Sequence, residues 1–460
     1  MEETLRIERM GYEEAAVAHL ASGKTVFVEG ACPGDVGAVA VLEEKASFAT
    51  ARLLSLDEAS PVRVDQPCPY GVCLVGDPAR LRCGGCPWQR LDYAAQLAAK
   101  RENVVARLVR SAHWDAARAQ AVMGEAVGSK REWGYRNKVE LAAAKDARGF
   151  FDLGFYAANS HDVVAVDACR AAVRGAERAP RAMRGALRYL QNSGDLDIFR
   201  VGVRHSLRTR STEIALWTRP GAFPRAAVAK TLGSALKATS IVRVLAEPGK
   251  ERKIKGLEVL AGAGHWEEEV AGVRFMVSAP SFFQVNTAQA ETLVRLVVEG
   301  LGGRVGEDGF AGLDGAYVAD LYAGCGTFSV PLALAGADVV AVESAGSSVR
   351  DLRRNADANG ADVDVVGGDA GRELPDLGRL DALVVDPPRS GLGEGVVESI
   401  AAAAPERVAY VSCNPATWAR DVVRFEDAGY RLDAARPVDL FPQTYHVEVA
   451  STFVRQEGRL

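Results

Sequence analysis

The spacing of apolar and polar residues divides the chain into three stretches. Over residues 1–60, short β-type runs at 5–7, 25–28, 36–42 and 48–54 alternate with glycine and proline, including a turn at Pro33-Gly34-Asp35. Several short strands in so little chain predict a small barrel of the OB type. The middle, 61–270, opens with a helix expected over 92–110 and includes a strand at 139–142. From about residue 271 strand and helix alternate. A helix is expected over 287–301, then strands at 317–322, 339–343, 363–366, 382–385 and 408–412, with helices over 327–334 and 347–358. Two late extended runs, 431–440 and 446–454, are expected to close this sheet as an antiparallel hairpin.

The run 408–412 is apolar and rich in β-branched residues, the pattern of a buried parallel strand. Cys413 stands where it ends. Asn414-Pro415 breaks the strand, and Pro415 can open the next helix. In an open α/β sheet, ligands bind at the carboxyl ends of strands. A thiol near a helix N-terminus has its thiolate favoured. A lone cysteine at a strand end is more often structural, so Cys413 needs support from elsewhere. Asp386-Pro387-Pro388 follows one strand. Asp320-Leu321-Tyr322-Ala323-Gly324-Cys325-Gly326-Thr327 follows another, and Glu448 lies in the last.

Length, at 460 residues, predicts two or three domains, and the pattern along the chain sets three, at 1–60, 61–270 and 271–460. No apolar leader and no long apolar run is seen, so neither a signal peptide nor a membrane span is expected, and the cytoplasm is the expected location. The net charge of −5 argues against a polyanionic partner until its distribution is counted. Lys plus Arg against Asp plus Glu number 5 and 11 in residues 1–60, 34 and 22 in 61–270, and 16 and 27 in 271–460. A basic middle between acidic ends suits a polyanion. Three basic runs lie there: Trp133 to Lys138, Arg204 to Arg210, and Lys250 to Lys255. Arginine and lysine interleaved with aromatics suit single-stranded RNA. The acidic balance of residues 1–60 speaks against a direct phosphate grip there.

The eight cysteines of a cytoplasmic chain point to a metal site or catalysis, not to disulfides. Cys83-Gly84-Gly85-Cys86 is a tight two-cysteine turn, with Cys68 and Cys73 upstream and Cys169 as a remote fourth ligand. Three near ligands and one distant one differ from the paired turns of a zinc ribbon, which favours a [4Fe–4S] cluster over zinc.

Gly324-x-Gly326 lets a ligand approach the backbone. Ser329 replaces the third glycine of the dinucleotide fingerprint. Glu343 ends the second strand, where a carboxylate can hold ribose hydroxyls. With Asp386, this set fits S-adenosylmethionine better than NAD. The sheet ending fits a seven-stranded methyltransferase better than a dehydrogenase. A pyrimidine C5 needs a thiolate at C6 before it can accept a methyl group, and a base must then remove the C5 proton. Cys413 and Glu448 are the candidates, with Asp386 placed to hold the base or the methionine end of the cofactor. Arg389 follows Asp386-Pro387-Pro388 where an amino-adenine methyltransferase has an aromatic. The second cysteine of cytosine-C5 enzymes is also missing, so uracil is favoured.

These residues resemble the RNA uridine-C5 methyltransferase family along nearly the whole chain. The motifs are Tyr135-Arg136-Asn137-Lys138, Phe282 to Asn286, Asp320 to Phe328, Asp386 to Gly391, Ser412 to Thr417 and His446-Val447-Glu448. The resemblance implies a Rossmann-like class I α/β catalytic domain, an N-terminal TRAM-like OB barrel and an α+β central iron–sulfur domain. It implies that Cys413 is the nucleophile and Glu448 the base. Gln284, Tyr322, Glu343 and Asp386 would contact S-adenosylmethionine, and Cys68, Cys83, Cys86 and Cys169 would hold the cluster. The family places its first cysteine nearer the Cys-Gly-Gly-Cys turn. Cys68 is preferred because Cys-Pro matches, with Cys73 as the alternative. The expected partner is RNA, 23S ribosomal RNA by the branch it resembles and transfer RNA otherwise, with no membrane and no obligate protein partner. Two other classes stay open: a non-catalytic RNA-binding or ribosome-assembly factor, and an iron–sulfur oxidoreductase.

Overall fold

The structure, a computed structural model, describes residues 2–13, 15–71, 82–191, 194–249 and 253–456. Period-two alternation builds the N-terminal unit. In Thr25–Glu29 the valines Val26 and Val28 point inward, and Thr25, Phe27 and Glu29 face the other way. In Phe48–Leu53, Ala49, Ala51 and Leu53 are buried, and Phe48 and Thr50 lie on the outer face. These strands pair in parallel, Thr25 opposite Phe48 and Phe27 opposite Thr50. Six strands form the sheet in the order Glu2–Arg6, Val36–Glu44, Phe48–Leu53, Thr25–Glu29, Ala16–His19, Arg9–Met10. The strand Ala16–His19 escaped prediction because Ala16, Val17 and Ala18 are all buried and show no alternation.

The middle holds a second, seven-stranded sheet: Gly256–Gly262, Ser240–Leu245, Thr212–Thr218, Ile198–His205, Lys138–Lys145, Phe151–Tyr156, Val163–Val164. Helices Ala179–Gln191 and Arg225–Leu236 share its core through Met183, Leu187, Val228 and Leu232. The predicted helix is present as Tyr93–Ser111, capped by Asp92, which accepts from the Ala95 N–H at 2.7 Å. Its apolar residues Val104, Val105 and Leu108 join Trp418, Phe425 and Tyr430 in the core of the C-terminal sheet. Lys100 and Asp439, both fully buried, pair across that junction at 2.6 Å. Gln96 and Gln443 exchange hydrogen bonds of 3.0 and 2.9 Å beside them. Removing one member of such a buried pair costs about 3–5 kcal/mol, because the charge left behind is uncompensated.

The C-terminal sheet runs Val363–Gly367, Asp338–Glu343, Tyr317–Leu321, Ala382–Val385, Arg407–Ser412, Glu448–Arg455, Tyr430–Val438. The first five are parallel and Glu448–Arg455 is antiparallel to both neighbours, as the late hairpin predicted. Two hairpins, Trp266–Val270 with Val273–Val277 and Arg304–Gly306 with Gly309–Ala311, were not foreseen. Among the described residues no helix is long and apolar enough to cross a membrane.

Candidate active site

The carboxyl ends of the central parallel strands converge on one edge. Leu321 stands opposite Val385, and Val385 opposite Tyr410. Ser412 stands opposite Val449 on the antiparallel strand. One step outward, that register sets Cys413 beside Glu448. Asp386 continues the strand between, its N–H donating to the Leu321 carbonyl at 3.4 Å. Helix Pro415–Asp427 begins two residues after Cys413, with Asn414 as its cap, accepting from Ala416 N–H at 3.1 Å.

Glu448 is buried, not an exposed hairpin carboxylate. Burial first, and Asp386 second, push it up to about 8, against the opposing charge of Arg389. Burial and then Asp320 push Asp386 up to about 7. The half-buried Cys413 thiol is pushed up to about 11 by burial, then by Glu448 and Asp386. Burial and the two acidic neighbours thus oppose the thiolate expected at the helix N-terminus. Arg389 is the counterweight, acting on the thiol by charge and by hydrogen bond. Its carbonyl accepts from Asn414 Nδ2 at 3.0 Å and Thr417 Oγ1 at 3.3 Å. Its guanidinium donates to His446 Nδ1 at 3.0 Å. Burial and the Arg389 charge hold His446 down at about 4, so the imidazole is neutral and able to accept. Sequence reasoning used Arg389 only to exclude adenine and treated His446 as a bystander. The arginine directly after Asp386-Pro387-Pro388 was the available signal.

The glycine loop is strained where it must be open. Tyr322 has φ 63°, Gly324 58° and Gly326 90°. A left-handed tyrosine is held by its surroundings, not by its own preference. A Cβ at Gly326 would press on Val330 and Leu352 at 3.2 and 3.3 Å, whereas at Gly324 it would meet no atom within 4 Å. Gly326 thus serves packing, whereas Gly324 faces open space on the side a Cβ would take. Glu343 accepts from Gly324 N–H at 2.9 Å and Ala345 N–H at 2.6 Å, tying the loop to the next strand. A carboxylate has further lone pairs for hydroxyl groups. Ser329 donates its hydroxyl to the buried Asp320 at 2.5 Å, a use for serine in the place of the third glycine. The other Asp320 oxygen has no hydrogen-bond partner, and burial lifts the group to about 7.

Gln284 is buried, its carbonyl accepting from Asn137 Nδ2 at 3.0 Å. Asn137 N–H also donates to the Val285 carbonyl at 2.8 Å. Nearby, the Phe282 carbonyl faces Cys325 Sγ of the glycine loop at 3.8 Å. Two motifs far apart in sequence are one structural joint. Tyr135 and Asn137 are buried in it, so the 133–138 run is largely a strut and not an open RNA surface. Arg204 is also buried, donating to the Ser278 and Ser281 carbonyls at 3.1 and 2.6 Å, and Arg208 pairs with Glu291 at 2.5 Å. A charge count cannot tell a solvated arginine from a buried one. Lys250, Glu251 and Arg252 lie outside the described residues.

Cys68, Cys83, Cys86 and Cys169 line a single cavity of about 350 Å³, walled by groups such as Trp133, Val139, Phe155 and Val166. Burial raises Cys83 to about 11 and raises Cys86 and Cys169, and the neighbouring thiols raise each further. Among the described residues no trio of His, Cys, Asp or Glu converges on the point a single metal ion would take. Cys73 lies outside the described residues.

The tRNA (Uracil-5-)-methyltransferase family model matches residues 373–456. An uncharacterized RNA methyltransferase of Gloeobacter violaceus is 36% identical over 95% of this chain and 93% of its own. One from Halalkalibacterium halodurans is 32% identical over 96% and 94%. The crystal structure of the Pyrococcus abyssi tRNA (uracil-54, C5)-methyltransferase in complex with S-adenosyl-L-homocysteine superposes with a TM-score of 0.72. It covers 99% of this chain and 100% of that one at 24% identity, a likeness of fold.

Proposed function

Because this chain belongs to the RNA uracil-C5 methyltransferase family, we propose that it transfers a methyl group from S-adenosylmethionine to C5 of a uridine in folded RNA. The observation that carries this is the register placing the Cys413 thiol beside the buried Glu448 carboxyl, with Asp386 between strands and Arg389 against the thiol. A binding module needs no such pair.

In the proposed reaction the Cys413 proton passes to water, and the thiolate sulfur bonds to C6 of a uracil flipped from the stack. The C5=C6 electron pair moves to the C4 carbonyl oxygen as an enolate. C5 then attacks the methyl carbon, and S-adenosylhomocysteine leaves. The Glu448 carboxylate removes the C5 proton, the C5=C6 bond reforms, and the Cys413 thiolate departs. Arg389 stabilises that thiolate at both ends of the sequence, and neutral His446 holds the guanidinium. Gln284, Tyr322, Glu343 and Asp386 are assigned to S-adenosylmethionine around the open backbone of Gly324.

We assign the 68–169 cavity to a [4Fe–4S] cluster held by Cys68, Cys83, Cys86 and Cys169. The support for this assignment is that the four thiols line one cavity, with apolar groups such as Trp133, Val139 and Phe155 among its walls. The cluster's contribution would be to tie the 68–86 segment to the middle sheet. The 1–60 sheet is assigned as the TRAM-like OB barrel, 61–270 as the central domain and 271–460 as the catalytic domain, in a cytoplasmic enzyme. Ribosomal RNA is the target read from the branch likeness, with transfer RNA as the alternative.

The test is tritium release from RNA labelled at uracil C5, with S-adenosylmethionine, by the wild type and Cys413→Ala. Release by the wild type alone supports the reaction and its nucleophile. No release from ribosomal or transfer RNA by protein that binds S-adenosylmethionine overturns it in favour of a binding factor.

A further inference from the structure

Asp421 stands midway along helix Pro415–Asp427, and its side chain is fully buried. A buried carboxylate has to be matched by donors or cations, and here the two oxygens divide the work. Oδ2 accepts from the Tyr410 hydroxyl at 2.8 Å, in the strand that leads to Cys413, and from Leu392 N–H at 2.9 Å. Oδ1 accepts from Arg420 Nε at 3.0 Å and Nη2 at 2.8 Å, and from Arg424 Nη1 at 3.3 Å. The same two guanidiniums hold the loop that follows Asp386-Pro387-Pro388. Arg420 donates to the Ser390 and Leu392 carbonyls at 3.1 and 3.3 Å, and Arg424 to the Leu392 and Gly393 carbonyls at 3.0 and 2.8 Å. Asn414 and Thr417 hold the Arg389 carbonyl at the other end. Between them Gly391 is left-handed at φ 76°, where a Cβ would stand 2.5 Å from Arg420 Nη2 and 2.7 Å from Asp421 Oδ2.

Arg389 opens that loop, and its guanidinium reaches the Cys413 thiol on one side and His446 on the other. Of the charged groups Glu448, Asp386 and Arg389 set against the thiol, only the arginine favours loss of its proton, and the Tyr12 hydroxyl is a further titratable neighbour. A guanidinium on a long stem keeps one place only where its surroundings remove the rotamer freedom it would otherwise have. We propose that Asp421 is a positioning residue for the methyl transfer: through Arg420, Arg424 and Leu392 it fixes the 389–393 loop, so that the Arg389 guanidinium stays against the Cys413 sulfur. The proposal rests on the uridine reading only for what the thiol then does. A carboxylate that merely neutralised two arginines would stabilise the helix and leave the thiol as reactive as before.

The test is the rate at which iodoacetamide alkylates Cys413 in the full-length protein at about pH 8, since the thiolate is the reacting form. The rate is read by mass on the peptide carrying Cys413, for the wild type, Asp421→Asn, Arg389→Met and the double variant. Arg389→Met removes the cation, and the loss of thiolate outweighs the gain in its nucleophilicity, so the rate is expected to fall about tenfold. Asp421→Asn can keep an oxygen toward Tyr410 and Leu392 but turns an N–H donor toward Arg420 and Arg424, and a fall of about threefold is expected. The double variant is expected to match Arg389→Met, because Asp421 acts through that arginine. Gly391→Ala disturbs the same loop with both residues in place and is expected to slow alkylation too. If Asp421→Asn does not fold, Gly391→Ala takes its place in the same cycle with Arg389→Met. Unchanged or faster alkylation in the loop variants, or a further fall in the double variant, overturns the proposal. Tritium release separates the two readings. Release by the wild type with alkylation unaltered in Asp421→Asn removes the positioning role and leaves the reaction. Slower alkylation in Asp421→Asn without release by the wild type removes the reaction and leaves the positioning role.

Discussion

Cys413 and the four cysteines of the 68–169 cavity carry the same thiol in opposite company. Burial raises the thiol of Cys413 and of Cys83, each to about 11. Around Cys413 the neighbours are a guanidinium and two carboxyls lifted to about 7 and 8, which titrate close to neutrality and can exchange protons. Around Cys83 burial is joined by the thiols of Cys169 and Cys68, and only the Gly85 backbone and the Arg136 charge pull the other way. On the proposed assignments, thiolate character would be reached in one place by proton exchange with neighbouring carboxyls and in the other through a bound metal group. Burial alone does not distinguish a nucleophile from a ligand; the surrounding charges do.

The strongest way to break this contrast is Cys413→Ala. It is expected to lower tritium release by about 10⁴-fold or more while the melting temperature stays put, since loss of a nucleophile removes the covalent route. A measurable rate from that variant would end the assignment. Next comes Glu448→Gln, expected to slow release about 10²–10⁴-fold and to trap a protein–RNA adduct that survives a denaturing gel. Slow release with no adduct would place the base elsewhere. Cys83→Ser should show the opposite signature: bound iron and melting temperature fall, while kcat of the folded fraction holds. Iron-free protein of normal stability would reject the cluster.

The smallest effect is the pH dependence, and its two halves run in opposite directions. Asp320, Asp386 and Glu448 have folded pKa values of about 7, 7 and 8, above unfolded values of about 4. Their neutral forms add stability that is complete below about pH 4 and is lost as pH rises through 7 to 8. The RNA-free protein should melt at a lower temperature at about pH 9 than at about pH 6, and Glu448→Gln should flatten that decline. Over the same window the release rate should climb as Glu448, and then Cys413, ionise. A rate falling with pH would contradict the roles given to both.

Much of the catalytic half was legible in advance. The 408–412 and 382–385 runs form parallel strands within a residue of their expected ends, because fully buried strands read as continuous apolar runs. Asp386 and Cys413 were singled out by their places at strand ends and Glu448 by its motif near the C-terminus, and the register brings the three to one edge. Asp320 was passed over, since within a strand nothing marks which polar residue will be left half-satisfied. The 204–210 run looked like an RNA surface, and Arg204 turned out to be a buried clamp on the Ser278–Ser281 turn. The acidic 1–60 stretch presents Arg9, Tyr12, Phe27 and Phe48, beside Glu13 and Glu29, on one wall of a cavity it shares with Arg107 and Arg110.

The sequence by itself determined the order of elements, the glycine loop, and the places of Cys413 and Glu448 in the late strands, because each depends on local periodicity or on residue type along a strand. Only the tertiary structure decided which charges are solvated, what holds Arg389 against the thiol, and that the helix of the middle segment packs on the catalytic sheet. It alone also brought the arginines at 9, 107 and 110 together. These depend on desolvation and on distances between residues hundreds of positions apart, quantities that a linear pattern does not contain.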